Sequence, residues 1–179
     1  MPQLRIEFHH GNSIPAELSR RIDALDHLAF SDQPQNDPEM KNIIWATPDW
    51  MVLGFLEHEL VSQFCLHQRE ITVGEESIPV AGVGGVATHP DWQKRGFASQ
   101  LLRASVDFLQ IKMKAVFGLL VCDDQIQPVY ARCGWRTVAR SLVFIQDQQL
   151  RSLPACVMIL ELTNRPWPSG EINLCGAPW

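Results

Sequence analysis

This 179-residue chain is short of positive charge, long apolar stretches and paired metal ligands, and each shortage excludes a class of function. Lys and Arg number 15 against 20 Asp and Glu, a net charge of −5. That balance argues against a nucleic-acid binder, which carries a basic face or stripe. No apolar run approaches ~18 residues, so no membrane span is expected. Arg5 and Glu7 stand where a secretory leader would need its apolar core, so no leader is expected either. The five cysteines (Cys65, Cys122, Cys133, Cys156, Cys175) are odd in number, scattered, and without a C-x-x-C pair. They suit reduced thiols and a cytoplasmic setting better than a disulfide frame or zinc cage. His9 and His10 are adjacent, a poor spacing for ligation from a strand, and no metal is expected. There is no G-x-S-x-G elbow. The glycines of Gly82–Gly85 precede no helix, so they are not a dinucleotide fingerprint. Without repeats or a long linker, residues 1–179 are expected to form a single domain.

What the chain does have is alternation between strand and helix patterns. Leu4, Ile6 and Phe8 share one face of a first strand. Ser13 and Pro15 announce a helix with Leu18, Ile22, Leu25 and Ala29 on one stripe. A polar loop follows from Ser31 to Asp37. Trp50–Leu56 and Leu60–Leu66 read as strands about a Glu57-His58-Glu59 turn. Ile78–Thr88 is a near-continuous apolar strand of the kind found at a sheet centre. Ala98, Leu101, Leu102, Ser105, Val106 and Leu109 form one face of the clearest helix, and a buried strand, Ala115–Cys122, comes next. Strand, helix, strand is a crossover, so these two strands should be parallel neighbours. Pro128 starts a short helix that Gly134 closes. Thr137–Ile145 and Ala155–Leu162 give two last strands joined by a polar turn. The tail, 164–179, is rich in Pro, Gly and Trp and reads as irregular.

The most telling stretch runs from Val86 to Ser99, Val-Ala-Thr-His-Pro-Asp-Trp-Gln-Lys-Arg-Gly-Phe-Ala-Ser. A strand ends in a turn, and a short basic loop with one glycine leads straight into a helix. Loop amides and a helix N-terminus converging on one point make an anion site suited to phosphate, and Lys94 and Arg95 add full charges. Tyr130 lies some thirty residues on, in Tyr-Ala-Arg-Cys-Gly-Trp. It is the chain's single tyrosine.

Gln93-Lys94-Arg95-Gly96-Phe97-Ala98 fits Q/R-x-x-G-x-G/A, and with the crossover and the Tyr130 segment the chain resembles the GCN5-related N-acetyltransferase (GNAT) family. The resemblance implies an α/β GNAT fold, a six- to seven-stranded, mostly antiparallel sheet with two splayed parallel central strands and helices on both faces. It implies acetyl-CoA as cosubstrate, with its pyrophosphate on the amides of Gln93, Lys94, Arg95, Gly96, Phe97 and Ala98, and Ser99 capping the helix. The strand end Val86, Ala87 and Thr88 would pair with the pantetheine arm, and an N–H near Val86 would polarise the thioester carbonyl. Tyr130 would protonate the departing thiolate.

In pattern the chain is similar to the aminoglycoside 2′-N-acetyltransferases, through Leu66-His67-Gln68-Arg69, the Tyr130–Trp135 segment and the Leu174-Cys175…Trp179 end. That likeness implies acceptor contacts from a Trp179 carboxylate and from Asp32 and Asp37. It also implies a strand glutamate, but Gly84 stands in its place. His67, His89 and Asp123 are other candidate bases, and the residues do not choose among them. The expectation is acetyl transfer to a primary amine of a small cationic acceptor, aminoglycoside- or polyamine-like, by direct attack in a ternary complex. The expected partner is therefore a small-molecule amine, with no nucleic acid and no membrane, and a homodimer is left open. A protein or peptide amine, or a regulatory acetyl-CoA-binding module without turnover, are the alternatives.

Overall fold

A computed structural model describes residues 4–31 and 42–179. The strands are β1 (Arg5–His10), β2 (Trp50–Leu56), β3 (Glu59–Val73), β4 (Glu76–Thr88), β5 (Phe117–Cys122), β6 (Arg136–Gln146), β7 (Gln149–Glu161) and β8 (Ile172–Asn173). The α-helices among the described residues are α1 (Ala16–Phe30), α2 (Phe97–Ala104) and α3 (Gln127–Ala131). One sheet takes all the strands in the order β1-β2-β3-β4-β5-β7-β6-β8. Its pairings are antiparallel except β4 with β5 and the single pair Val143–Asn173 of β6 with β8.

Side-chain alternation divides the sheet into two buried faces. Val52 packs with Leu101, Leu102 and Tyr130 under α2 and α3. Its neighbour Leu53 packs with Ile22 and Leu25 of α1 on the other side. The helices therefore cover opposite faces, as the GNAT resemblance implies.

The elements run longer than the apolar patterns show. β3 continues to Val73, and the last hairpin closes on Asp147-Gln148, both at positive φ (53° and 61°). Two-residue hairpins need that conformation, which glycine or asparagine usually signals. The tail is not wholly irregular, because Asn173 and Ile172 pair with Thr72 and Val73 as β8. The helix expected to reach Leu109 stops at Ala104 and gives way to a π-turn over Phe108–Lys112. The buried Ser105 hydroxyl bonds back to the Leu101 carbonyl at 2.7 Å, a contact that bends helices.

Candidate active site

β4 and β5 are in register only at Val80–Phe117, Ala81–Gly118 and Gly82–Leu119. Beyond Gly82 they part, β4 running on to Thr88 and β5 to Cys122. The separation coincides with a bulge on β4. Between the pairs Gln63–Ala87 and Cys65–Gly84, Gly85 and Val86 both face Phe64 of β3, and Gly85 sits at φ +56°. A bulge leaves its extra residue out of the ladder and bends the strand, which frees backbone groups at the mouth of the gap.

The loop after β4 is shaped for an anion. Gln93 donates its side-chain amide to the Thr88 carbonyl at 3.2 Å, tying the loop to the strand end. Lys94 (φ 61°) and Gly96 (φ 82°) turn the chain through left-handed conformations into α2. The first helical bond is Gln100 N–H to Gly96 O at 3.0 Å, so the amides of Phe97, Ala98 and Ser99 have no intrahelical acceptor. Gly96, not Ser99, is the N-cap, and no side chain caps the helix. Successive amides in such turns form a concave nest for phosphate.

Across the gap, α3 presents Tyr130. Trp135 fixes this corner by packing against Gly118, where a Cβ would come within 2.7 Å of the ring, and by meeting Tyr130 edge-on at 6.4 Å. Tyr130 is buried, and its hydroxyl has no hydrogen-bond partner among the described residues. Burial, with the Cys122 and Cys133 thiols beside it, holds the hydroxyl well above tyrosine's ordinary value. It therefore keeps its proton at neutral pH.

One cleft of about 610 Å³ joins these parts. Val86, Thr88, Gln93, Lys94 and Gly96 line it from β4 and the loop, and Phe97, Ala98 and Ser99 line it from α2. Tyr130 closes it from α3, with Ile126 and Arg132 beside it. Two residues read from the motif stand elsewhere. Ala87 is buried on the α1 face, and the Arg95 guanidinium lies over the Trp92 ring at 4.6 Å. Trp92 itself lines the cleft.

The other face of the bulge carries a second cavity of about 270 Å³, lined among others by Asp23 and Asp26 of α1, Cys65 of β3 and Gly85 of β4. Trp179 folds back onto the sheet on this face, opposite Tyr130, and is buried. Its indole stacks on His67 at 5.7 Å, under the Arg69 guanidinium at 5.1 Å. A Cβ on Gly84 would meet the Trp179 carbonyl carbon at 3.1 Å and Cys65 Sγ at 3.3 Å. A side chain at this position would press on the seated Trp179 and on Cys65.

The other candidate bases are accounted for locally. His67 is buried and lowered to about 4, chiefly by burial and then by Arg69, so it is neutral at pH 7. His89 accepts the Asp91 amide and shapes the turn. Asp123 is exposed, and its carbonyl, not its carboxylate, accepts the amides of Ile126 and Gln127. Asp32 and Asp37 lie outside the described residues. Asp26 was hidden in the sequence as a polar position beside the apolar stripe of α1; its one signal is its place four residues after Ile22. Among the described residues no group of three or more His, Cys, Asp or Glu is placed to hold a metal, and no helix is long and apolar enough to cross a membrane.

A sheet that splits over a phosphate-shaped loop, with a protonated tyrosine across the gap, defines an acyl-CoA-type transferase architecture. Residues 14–138 match the acetyltransferase (GNAT) domain family, and the chain belongs to that family. As a member it is an acetyl-CoA-dependent N-acetyltransferase. Escherichia coli ElaA superposes with a TM-score of 0.62 at 17% identity, over 89% of this chain and 100% of that one. A GNAT acetyltransferase from Brucella melitensis, solved in complex with acetyl-CoA, gives 0.62 at 13% identity over 96% of each chain. An acyl-CoA N-acyltransferase from Pseudomonas aeruginosa gives 0.60 at 14% identity, over 88% of this chain and 99% of that one. At such identities these likenesses speak for the fold. No curated protein matches the chain.

Proposed function

We propose that this domain transfers the acetyl group to a primary amine of a small cationic acceptor by direct attack in a ternary complex. The observation that carries the reading is that one cleft brings the free amides of α2, the bulge residue Val86 and the Tyr130 side chain together. Acetyl-CoA supplies an activated acetyl thioester there. The amides of Phe97, Ala98 and Ser99, with Lys94, would hold its pyrophosphate. The backbone from Val86 to Thr88, which β5 leaves unpaired, would hold the pantetheine arm as an added strand. A main-chain N–H at Val86 stabilises charge growing on the carbonyl oxygen. Tyr130 donates its hydroxyl proton to the departing sulfur as the N–C bond forms and the C–S bond breaks. The proton lost from nitrogen as the amide forms restores Tyr130 through solvent.

The acidic cavity on the opposite face favours a cation as acceptor. Trp179, seated beside Gly84, would border its path. The test is calorimetric titration with acetyl-CoA, then a CoA-release screen over 1,4-diaminobutane, spermidine, tobramycin and a lysine-bearing peptide. Release with the small polyamines or tobramycin is expected. Release with the peptide alone would move the acceptor to protein. Tight binding with no release would leave a coenzyme-binding module, and failure to bind acetyl-CoA would remove the reading altogether.

A further inference from the structure

The cavity beneath the bulge has a feature the donor cleft does not use. Asp26 is half-buried on α1, and a side chain with no surface of its own holds it in place. Gln63 of β3 donates one amide hydrogen to the Asp26 carboxylate at 2.7 Å and the other to the Ile22 carbonyl at 3.1 Å. Its own Oε1 is buried with no partner among the described residues. An unpaired buried carbonyl oxygen costs about 1–3 kcal/mol. The two amide hydrogen bonds tie the Asp26 carboxylate to the α1 backbone at Ile22 and so fix its orientation.

The direction matters. Asp26 and Gly85 line the same small cavity, and Val86, the next residue, lines the donor cleft on the other face. The bulge thus borders both spaces, with Gly85 in one lining and Val86 in the other. The groups facing Asp26 are Asp23 on its own helix and Cys65 on β3, with His67 behind Cys65 at 3.4 Å. The thiol is pushed up to about 12 by burial and then by Asp26, and His67 stays neutral. No cation from these elements offsets the carboxylate.

We propose that Asp26 is the proton acceptor for an aliphatic primary ammonium bound in this cavity, in the role that Gly84 cannot fill. The ammonium gives one proton to the Asp26 carboxylate, directly or through one water, and its freed lone pair attacks the thioester carbon beside the bulge, where β4 and β5 part, the N–C bond forming as the C–S bond breaks. Burial raises Asp26 above its ordinary value, with Asp23 adding to this and the Gln63 bond opposing it. A base moved toward neutrality accepts a proton from an amine more readily. The assignment rests on the acetyltransfer reading above.

Asp26→Asn keeps the Gln63 contact and removes the base. With 1,4-diaminobutane as acceptor, kcat/KM at pH 7 should fall by about 100-fold or more. The loss should shrink at high pH, where the free amine needs no base, and the acidic limb of the rate profile should move up to the amine's own range. Calorimetric affinity for acetyl-CoA should be unchanged. A second readout avoids turnover: 1,4-diaminobutane binding to the CoA-saturated protein should weaken at least tenfold in Asp26→Asn, and less in Asp23→Asn. A variant that keeps the wild-type acidic limb, or binds the diamine as tightly, overturns the role of Asp26 and leaves the transferase reading standing. A wild type that binds acetyl-CoA but neither binds nor acetylates the diamine overturns both.

Discussion

Adding one methyl group at Gly82 should unseat the end of the chain. The new Cβ would stand 2.2 Å from Cε2 of Trp179 and 2.6 Å from Cδ2 and Cζ2. Carbon atoms in contact prefer about 3.5–4.0 Å, so the ring must lift by more than ~1 Å. The β4 backbone cannot retreat, because it is paired on both sides at this point, with His67 and with Leu119. Lifting the ring breaks its stack on His67 and its contact with Arg69. A buried tryptophan hides roughly 200 Å², which at about 25 cal/mol per Å² is at most ~5 kcal/mol. Partial relaxation would leave a loss of about 3–5 kcal/mol. Urea unfolding of Gly82→Ala, read as a fall in midpoint, gives the total. Hydrogen exchange localises it, since the Ala46 and Ile145 amides donate to the Pro178 and Gly176 carbonyls and should lose protection first. In a Trp179→Ala background the same methyl should cost almost nothing, because alanine suits a strand interior at least as well as glycine. Equal stability of Gly82→Ala and the wild type, or equal cost in both backgrounds, would refute the seating of Trp179.

Gly96→Ala meets no atom within 4 Å, so its effect is purely conformational. At φ +82° alanine should cost about 1–2 kcal/mol, seen in the unfolding midpoint, and weaken acetyl-CoA in calorimetry as the amide nest distorts. Tyr130→Phe should lower kcat by about 10²–10⁴-fold with the acetyl-CoA affinity and the melting temperature little changed, since the hydroxyl anchors no structure. His67, lowered to about 4, is neutral in the fold and charged in the unfolded chain between that value and its ordinary 6.5. Stability should therefore fall as pH drops from 6.5 to 4, by about 3 kcal/mol for this group, and His67→Gln should flatten that slope in urea titrations. Asp26 has the opposite sign to an ordinary ion-paired carboxylate, because its raised value makes the ionised form costly in the fold. Asp26→Asn should raise the melting temperature at pH 7, and the gain should vanish below the ordinary carboxylate range.

The donor half of the site was written in local sequence. A basic loop with a glycine before an amphipathic helix dictates its own turn within a few residues, and Lys94 and Gly96 turn the chain into α2 as that pattern implies, although Gly96 and not Ser99 is the cap. The central crossover was legible for the same reason, since the apolar run before α2 and the one after it can be buried only as neighbouring strands. The acceptor half was not legible, because it depends on contacts between residues far apart in sequence. Gln63 reaches Asp26 across 37 positions, and Trp179 settles on glycines nearly a hundred residues earlier. Hydropathy could not reveal either, as it treats Asp26 as surface and Trp179 as tail. The last hairpin was read with too long a turn for a smaller reason. Asp147 and Gln148 adopt positive φ without the glycine that normally advertises it.

The bulge at Gly85–Val86 also has a kinetic consequence. Val86 lines one cavity and Gly85 the other, so on the proposed reading the two ligands would have separate doors and meet beside the bulge. Neither would have to leave for the other to arrive. Steady-state rates should accordingly give intersecting lines in double-reciprocal form, with each product inhibiting competitively against the substrate that shares its door.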